Sequence, residues 1–482
     1  MHYSITIKVL GLLLMVFSLS MLPAVVVSFI YEDGIHNAFI YGFIIVLAIG
    51  FLVWLPVRHR KREMRTREGF IIVVMFWVVL GFAGAVPIHL APTATTTFTD
   101  AFFESFSGLT TTGATVLYGL DDLPKSILFY RQQLQWMGGM GIIVLAVAVL
   151  PMLGIGGMQL YRAETPGPMK DNKLTPRIAE TAKALWYIYL GLTSACALAY
   201  WLAGMTPFDA IAHSFSTVAI GGYSTYDASI GHFDSVAVEL ICVFFMLLSA
   251  ANFGLHFVVF RSRNFKPYLK DPEYLFFLGI TLLLVMMVVF VLWVTQTYSA
   301  FDGLRYGLFM SVSVLTTTGF GNADFASWPL FLPFMLIMAA FMGGCAGSTA
   351  GGIKAIRAML LIKQGAREIK RLIHPTGVFP VKVGRRPISN RVIDAVWGFF
   401  SAYIVAYGLL MFALLATGLD FITSWSAVGA SLNNLGPGLG DVAANYASIP
   451  DPAKWLLCFA MLLGRLEVFT LLVLFSPHFW RR

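Results

Sequence analysis

The segment Asp100-Ala-Phe-Phe-Glu-Ser-Phe-Ser-Gly-Leu-Thr110-Thr111-Thr112-Gly113 lies between two apolar stretches that are each long enough to cross a membrane. It begins with an acidic residue, continues with mainly apolar or small residues and ends in a polar stretch with glycine. Such a segment is too apolar for a solvated loop, and a bilayer crossing needs about 20 apolar residues. It therefore predicts a re-entrant segment, in which a short helix enters the membrane and the chain turns back.

Three later stretches repeat this pattern. The second runs from Asp209 to Gly222, the third ends in Thr316-Thr317-Thr318-Gly319, and the fourth runs from Asp420 to Asn433-Asn434-Leu435-Gly436. Internal repetition is typical of an architecture built from copies of one unit. The four copies predict a unit of helix, re-entrant pore loop and helix that occurs four times around one pore.

The ends of four such helices favour a cation. Non-helical backbone at membrane depth is tolerated only where it is buried in protein or lines a water-filled cavity. A half-helix that stops inside the membrane presents unpaired carbonyl groups and the negative end of its dipole. The residues that follow can turn their carbonyl groups toward an ion in place of water. We expect the first aspartate to cap each helix, and glycine to permit a backbone conformation that is closed to other residues.

The composition predicts an all-α integral membrane protein. Of the 482 residues, 58% are hydrophobic and 12% are charged, whereas a soluble domain has about 25% charged residues. The net charge of +8 comes from short basic blocks between apolar segments. Nucleic-acid binding would need basic residues clustered on one exposed face, so the expected partner is the lipid bilayer and not a nucleic acid. The four cysteines form no CxxC pair, which predicts buried thiols.

Ten apolar segments are candidate membrane-spanning helices. They lie near residues 6–30, 38–57, 69–90, 128–153, 184–204, 235–260, 274–296, 328–362, 393–417 and 454–476. Basic blocks follow every second segment, beginning with residues 58–67, while the opposite loops carry almost none. The positive-inside rule then predicts that both termini are cytoplasmic. The first apolar segment also resembles a signal peptide, but its length favours a retained membrane helix.

These segments and copies divide the chain into five parts. A leading helix pair with a basic cytoplasmic loop occupies residues 1–67. The four pore repeats are predicted at residues 68–180, 181–270, 271–388 and 389–482.

Span eight contains five glycines within the ten residues 343–352. Each glycine costs a helix about 1 kcal/mol relative to alanine. One interpretation is close helix packing through small residues, and the other is a flexible break of the helix, inside the membrane and beneath the pore loops.

Arg465 lies near the middle of the last span, where a charge costs at least ~2.5–3.5 kcal/mol. It either pairs with Glu467 or loop carbonyl groups, or forms a cationic barrier facing the pore, and the two roles are compatible.

Several motifs resemble the TrkH/TrkG/KtrB superfamily of potassium transporters, and within it the bacterial TrkH family, over essentially the whole chain. They are SFSGLTTTGAT at 105–115, QWMGGMGI at 135–142, GGCAGSTAGG at 343–352, NNLGPGLG at 433–440 and GRLEVFTLLVLF at 464–475. The resemblance implies a potassium-uptake protein of the bacterial inner membrane, in which one polypeptide mimics a tetrameric channel and holds one ion path.

The resemblance also implies which residues form the site. The filter glycines are Gly113, Gly222, Gly319 and Gly436, and the other filter residues are Thr110, Thr111, Thr112, Ala219, Ile220, Gly221, Thr316, Thr317, Thr318, Asn433, Asn434 and Leu435. Glycine at position 113, where serine accompanies sodium permeation in some plant relatives, implies K⁺, with Rb⁺ also accepted. The implied gate comprises Gly343, Gly344, Gly347, Ser348, Thr349, Gly351, Gly352 and Arg465.

Two partners follow from the resemblance alone. Such proteins pair as homodimers, and they dock a TrkA-type cytosolic regulator with nucleotide-sensing RCK domains. The chain itself has no GxxxxGK[ST] loop and no GxGxxG motif after a predicted strand. Nucleotide control is therefore expected only through the partner.

Two other functions compete with a channel. A secondary transporter that couples potassium to protons or sodium also uses broken helices, but usually with two inverted halves. Acidic residues inside the spans are sparse, with Glu239 and Glu467 as the main candidates. A channel for ammonium instead of potassium is less favoured, because, of the nine histidines, only His213 lies near a predicted filter. A membrane enzyme is not expected, because HExxH, GxSxG and paired intramembrane aspartates do not occur.

Overall fold

The structure is a computed structural model that describes residues 4–59, 66–92, 97–139 and 178–480. Its helices are α1 Ser4–Ser18, α2 Leu22–Tyr31, α3 His36–Trp54, α4 Thr66–Leu90, α5 Phe98–Leu109, α6 Lys125–Gly139, α7 Ile178–Leu202, α8 Pro207–Val218, α9 Val236–Ser249, α10 Phe253–Ser262, α11 Lys266–Lys270, α12 Pro272–Val294, α13 Ala300–Leu315, α14 Leu332–Ala340, α15 Ala355–Ile373, α16 Asn390–Ala416, α17 Phe421–Leu432, α18 Asp451–Arg465, α19 Phe469–Phe475 and α20 Pro477–Trp480. The short strands β1 Lys382–Val383 and β2 Arg386–Pro387 pair antiparallel.

Six helical segments among the described residues are long and apolar enough to cross a membrane. They are Ser4–Tyr31, His36–Val57, Arg67–Leu90, Lys183–Leu202, Pro272–Val294 and Asn390–Ala416. On α12, Leu282, Met286 and Phe290 are spaced four residues apart and are all more than half exposed. An apolar face of this kind suits contact with lipid, so the helical class and the apolar spans agree with the expected membrane protein.

The predicted spans six and ten, at 235–260 and 454–476, each consist of two helices joined at a bend. Helices α9 and α10 meet at an angle of 95°, and α18 and α19 meet at 115°. At the first bend, the Asn252 side chain caps α10, and the carbonyl of Ala250 accepts the Cys345 N–H at 2.9 Å. At the second bend, Glu467 and Val468 have positive φ angles of 53° and 58°, which an α-helix cannot accommodate.

The predicted interruption of span eight is present. Helix α14 ends at Ala340 and α15 begins at Ala355, and we call the intervening residues 341–354 the gate loop. Span four begins within α6, but residues 140–153 lie outside the described part of the chain, as do the last three residues of the QWMGGMGI motif.

Four short helices lie among the longer ones and carry buried side chains along most of their length. We call these helices, α5, α8, α13 and α17, the pore helices. Two large hydrophobic clusters surround them, one built mainly on α1–α6 and α16–α18 and the other mainly on α7–α14. The four cysteines, Cys196, Cys242, Cys345 and Cys458, are buried as free thiols. The ends of the pore helices are thereby fixed within a packed interior.

Candidate functional site

The first residues of the pore helices correct one prediction. The aspartate is the N-cap only in α17, where Asp420 accepts the N–H groups of Ile422 and Thr423 at 2.9 and 3.2 Å. In the other three helices a hydroxyl residue, Thr97, Thr206 or Ser299, is the N-cap, and it accepts the N–H of the aspartate three positions later at 3.1 Å. The hydroxyl thus caps the helix by accepting a backbone N–H, as in a capping box. The carboxylate lies in the first turn, at the positive end of the helix dipole.

Each pore helix ends in the same hydrogen-bonded turn. After α5, the N–H of Thr111 bonds to Gly108 O and the N–H of Thr112 bonds to Ser107 O, both at 2.9 Å. Bonds equivalent to that of Thr112 follow α8, α13 and α17. The N–H groups of Gly221, Thr318 and Leu435 donate to the carbonyl oxygens of Ser216, Ser313 and Ala430 at 2.8 Å. This is the Schellman arrangement. Some of the terminal carbonyl groups are therefore paired, which differs from the expectation that all would be free.

The residues after each turn have one backbone pattern. We call residues 110–113, 219–222, 316–319 and 433–436 the filter segments. In every segment the second and fourth residues have positive φ: Thr111 and Gly113, Ile220 and Gly222, Thr317 and Gly319, and Asn434 and Gly436. Left-handed backbone costs a residue with a Cβ roughly 1–2 kcal/mol. Four repetitions of this cost at equivalent positions point to a conformation retained for function.

The glycines that end the filter segments show that the segments form a closed ring. A Cβ placed on Gly113 would lie 2.1 Å from the carbonyl oxygen of Gly221, in the second segment. A Cβ on Gly222 would lie 2.1 Å from Thr318 O, and one on Gly319 would lie 2.1 Å from Leu435 O. The ring closes at Gly436, where the added Cβ would be 2.7 Å from Thr112 O. Each glycine is therefore required by close backbone contact as well as by its φ angle.

All four of these glycines line a single cavity of about 100 Å³. Tyr223, Asp227 and Tyr446, which follow the filter segments in the chain, line the same cavity. Tyr446 also donates its hydroxyl to the Gly436 carbonyl at 2.7 Å. The cavity is thus the mouth of the ring, on the side where the filter segments end.

The gate loop contacts the opposite end of the ring, where the filter segments begin. The N–H of Gly351 donates to Thr317 Oγ1 at 2.7 Å, and the N–H of Gly352 donates to Asn433 O at 3.1 Å. The hydroxyl of Thr349 donates to the carbonyl of Val218, the last residue of α8, at 3.0 Å. We call each filter segment together with the pore helix before it a quadrant of the ring. The gate loop therefore contacts three of the four quadrants directly.

Arg465 extends the contact to the remaining quadrant. Its Nη1 donates to Thr111 Oγ1 at 3.1 Å and to the gate-loop carbonyl of Thr349 at 3.3 Å, and its Nη2 donates to Gly138 O at 2.7 Å. Glu467 forms an ion pair with Arg357. Arg465 lies at the end of α18, beside the bend, and not in the middle of a continuous span. The C-terminal end of a helix favours a cation.

Hydrogen bonds also order the gate loop internally. Gly343, Gly347 and Gly352 have positive φ angles of 65°, 74° and 74°, so they form loop backbone and not a helix-packing face. The carboxylate of Glu273 accepts the N–H of Ala346 at 2.6 Å and of Ile356 at 3.2 Å. Of the two interpretations of this glycine-rich stretch, the break in the helix is the one observed. In this conformation the break is a defined structure.

A buried polar group beside the filter was absent from the predicted site. It consists of Glu104 on α5 and Arg131, Gln132 and Gln135 on α6, all 1% exposed or less. Gln135 donates to Gly221 O at 2.6 Å and accepts the Tyr223 N–H at 3.1 Å. A signal was available in the sequence, because charged side chains within apolar membrane segments mark functional positions.

Comparisons with known proteins identify relatives over the full length of the chain. The family model described as TrkH, cation transport protein, matches residues 35–482. The chain is 58% identical over 484 residues to the "Trk system potassium uptake protein TrkH" of Vibrio parahaemolyticus, and 56% identical over 482 residues to the protein of that name from Escherichia coli K12. Each alignment covers 100% of both chains.

A solved structure shows the same fold. The crystal structure of the potassium transporter TrkH from Vibrio parahaemolyticus superposes with a TM-score of 0.91 at 55% identity, with 100% of both chains covered. The relatives are named as uptake proteins and not as enzymes. By its motifs, its fold and its full-length relatives, the chain belongs to the TrkH family of cation transport proteins.

Proposed function

We propose that this protein takes up potassium across the bacterial inner membrane through a selective, channel-like pore on the axis of the ring. The observation that carries the proposal is the closed cyclic contact of the four filter segments, each ending in a glycine that lines the common mouth. Channel filters replace the hydration shell of K⁺ with rings of backbone carbonyl groups. The names of the relatives, as potassium uptake proteins, support K⁺ as the transported ion.

The proposed architecture has ten membrane spans. A leading helix pair at 1–67 precedes four pore repeats at 68–180, 181–270, 271–388 and 389–482, each of which contributes one pore helix and one filter segment. The six apolar helices and two bent helix pairs among the described residues correspond to eight of these ten spans. The basic loops support cytoplasmic N- and C-termini.

The proposed ligands of K⁺, and of Rb⁺ in its place, are the oxygen atoms of the filter segments. The first and third segments supply three threonines each, whereas the second and fourth have Ala219-Ile220-Gly221 and Asn433-Asn434-Leu435 before the glycine. Backbone carbonyl groups are common to all four segments, so the backbone supplies the fourfold part of the site. The side-chain ligands are only approximately symmetric.

The proposed gate is the gate loop together with Arg465. Its members are Gly343, Gly344, Gly347, Ser348, Thr349, Gly351, Gly352 and Arg465. Thr349 contacts Val218, and Gly351, Gly352 and Arg465 contact the third, fourth and first filter segments. These contacts support a closed conformation. We further propose that a homodimer of this chain docks a TrkA-type RCK regulator in the cytosol, and that nucleotide binding to this regulator moves the loop away.

Ion flux in liposomes tests the proposed function. We expect the purified protein to take up K⁺ and Rb⁺ well above Na⁺ and Li⁺ down imposed gradients, without a proton or sodium gradient, since a passive pore needs no coupling ion. Protein-free liposomes give the background. Flux that arises only with an imposed proton or sodium gradient would establish a coupled secondary transporter and refute the channel.

The two acidic residues that the sequence offers as candidates for proton coupling, Glu239 and Glu467, are engaged in ion pairs. Glu239 accepts two hydrogen bonds from Arg305, at 2.8 and 2.9 Å, and Glu467 pairs with Arg357. This pairing supports the passive pore over the coupled alternative.

Replacing Gly351 with alanine is expected to increase K⁺ flux severalfold in the liposome assay. The added Cβ would lie 1.9 Å from the carbonyl oxygen of Asn433, so the gate loop must move away from the fourth filter segment. Gly365→Ala is the matched control, because Gly365 on α15 has no atom within 4 Å of an added Cβ. Equal flux in the two variants would show that this contact does not restrict conduction.

A further inference from the structure

An ion pair is buried beside the filter ring. Arg131 on α6 and Glu104 on the first pore helix are 1% and 0% exposed, and Arg131 Nε lies 2.5 Å from Glu104 Oε1. Removing two charges from water carries a large desolvation cost, and such a pair is weak evidence for stability by itself. We therefore expect this ion pair to have a function other than stability, and the residues that it contacts indicate that function.

The partners of the pair are the residues that follow the first and second filter segments. Arg131 Nη2 donates to Thr115 Oγ1 at 3.0 Å, and its Nη1 donates to the carbonyl of Ser224 at 3.3 Å. Glu104 accepts the Thr115 hydroxyl and the Val116 N–H, each at 3.0 Å. Thr115 and Ser224 each come two residues after a filter glycine. One guanidinium thus spans two neighbouring quadrants.

The same face of α6 adds two amides to this connection. Gln135 bonds to the Gly221 carbonyl and to the Tyr223 N–H, as described above, and Gln132 donates to the Tyr223 carbonyl at 2.9 Å. The Arg131 guanidinium also lies 4.2 Å from the centre of the Tyr223 ring. We call Glu104, Arg131, Gln132 and Gln135 the filter brace.

Within the part of the chain that the structure describes, an ion pair of this kind lies on one side of the ring only. Glu104 stands nine residues before Gly113, and the equivalent residues before Gly222, Gly319 and Gly436 are His213, Met310 and Ala427. His213 Nε2 is 2.9 Å from Ser224 Oγ, so the second quadrant has a histidine–hydroxyl contact at the same place. Met310 and Ala427 have apolar side chains. The first and second filter segments are therefore fixed by polar contacts that the third and fourth cannot reproduce at this position.

We propose that Arg131 and Glu104 are positioning residues for ion selectivity, and that their ion pair sets the separation of the first and second filter segments. Discrimination between K⁺ and the smaller Na⁺ depends on where the coordinating carbonyl groups are held and how freely they move. The pair contacts no ion itself and acts through the backbone that follows the glycines. This inference rests on the proposed potassium pore and assigns one asymmetric determinant of its selectivity.

The test is the ratio of K⁺ to Na⁺ uptake in liposomes for the double variant Glu104→Gln, Arg131→Gln. Both charges are removed together, so neither is left buried without its partner. We expect the ratio to fall at least fivefold while K⁺ uptake persists. Gln133→Leu is the matched control, because Gln133 lies on the same helix, is buried, and donates to Ser20 O at 2.9 Å, away from the filter.

Each outcome separates this inference from the proposed function. An unchanged ratio in a folded double variant, or an equal fall in the Gln133→Leu control, would overturn the brace. If the double variant does not fold, Arg131→Lys decides, since it keeps the charge but cannot reproduce the contacts of the guanidinium. A lower ratio then supports the brace, and the wild-type ratio refutes it. Wild-type protein without selective K⁺ uptake would instead refute the potassium pore.

Discussion

Replacing Arg465 with alanine is expected to raise K⁺ flux at least tenfold in liposomes that contain the protein without its regulator. The guanidinium joins the gate loop at Thr349 to the first filter segment at Thr111. Its loss would both free the loop and remove a cation from the inner end of the ring. Two unit charges about 8 Å apart repel by about 2 kcal/mol at an effective dielectric constant of about 20, which corresponds to roughly thirtyfold in rate.

Lys454→Met controls for the loss of a cation from the same helix. Lys454 also lies on α18, is buried, and bonds to Asp100 at 2.7 Å, near the start of the first pore helix and not at the gate. We expect this variant to keep the wild-type flux. If Arg465→Ala is expressed and folded normally but conducts like wild type, Arg465 is not part of the gate.

Replacing Gly113 with serine is expected to lower the ratio of K⁺ to Na⁺ flux at least tenfold, equivalent to about 1.4 kcal/mol of discrimination. The new Cβ would lie 2.1 Å from the Gly221 carbonyl oxygen, and the residue would keep a φ near 81° that favours glycine. The first and second filter segments must then separate. Competitive uptake of K⁺ and Na⁺ isotopes in the same liposomes measures the change.

Gly119→Ser separates crowding in the ring from backbone strain. Gly119 follows the same filter segment, has a φ of 64°, and has no atom within 4 Å of an added Cβ. It therefore carries comparable strain without the contact. A similar loss of selectivity in both variants would mean that strain in this region, and not the close contact of Gly113 with its neighbour, determines the ratio.

Local sequence was sufficient to predict where the four pore helices end and that a segment with glycine follows each of them. A pore helix and the turn that ends it depend on residues close in the chain, and the Thr-Thr-Thr-Gly endings at 113 and 319 mark two of the four turns directly. Repetition then located the other two. The structure explains the glycines that end these segments, because a close backbone contact leaves no room for a Cβ and a positive φ favours glycine.

The bends and the filter brace depend on contacts between distant parts of the chain. Nothing near Ala250 in sequence shows that its carbonyl will accept the N–H of Cys345 and so allow α9 to end there. Arg131 and Glu104 are 27 residues apart, and only the packing of α6 against the first pore helix brings them together. Hydropathy averages over such positions, so it predicted neither the bends nor the brace.

The closed ring of four unlike segments also affects how this filter can change during evolution. In a channel assembled from four identical subunits, one codon change alters all four quadrants at once. Here each quadrant has its own codons, so a substitution perturbs a quarter of the ring while three quarters keep their ancestral chemistry. The four quadrants already differ in sequence, since the second segment has Ala219-Ile220-Gly221 where the first and third have three threonines. Selection can therefore adjust ion preference in small steps that a symmetric tetramer cannot take.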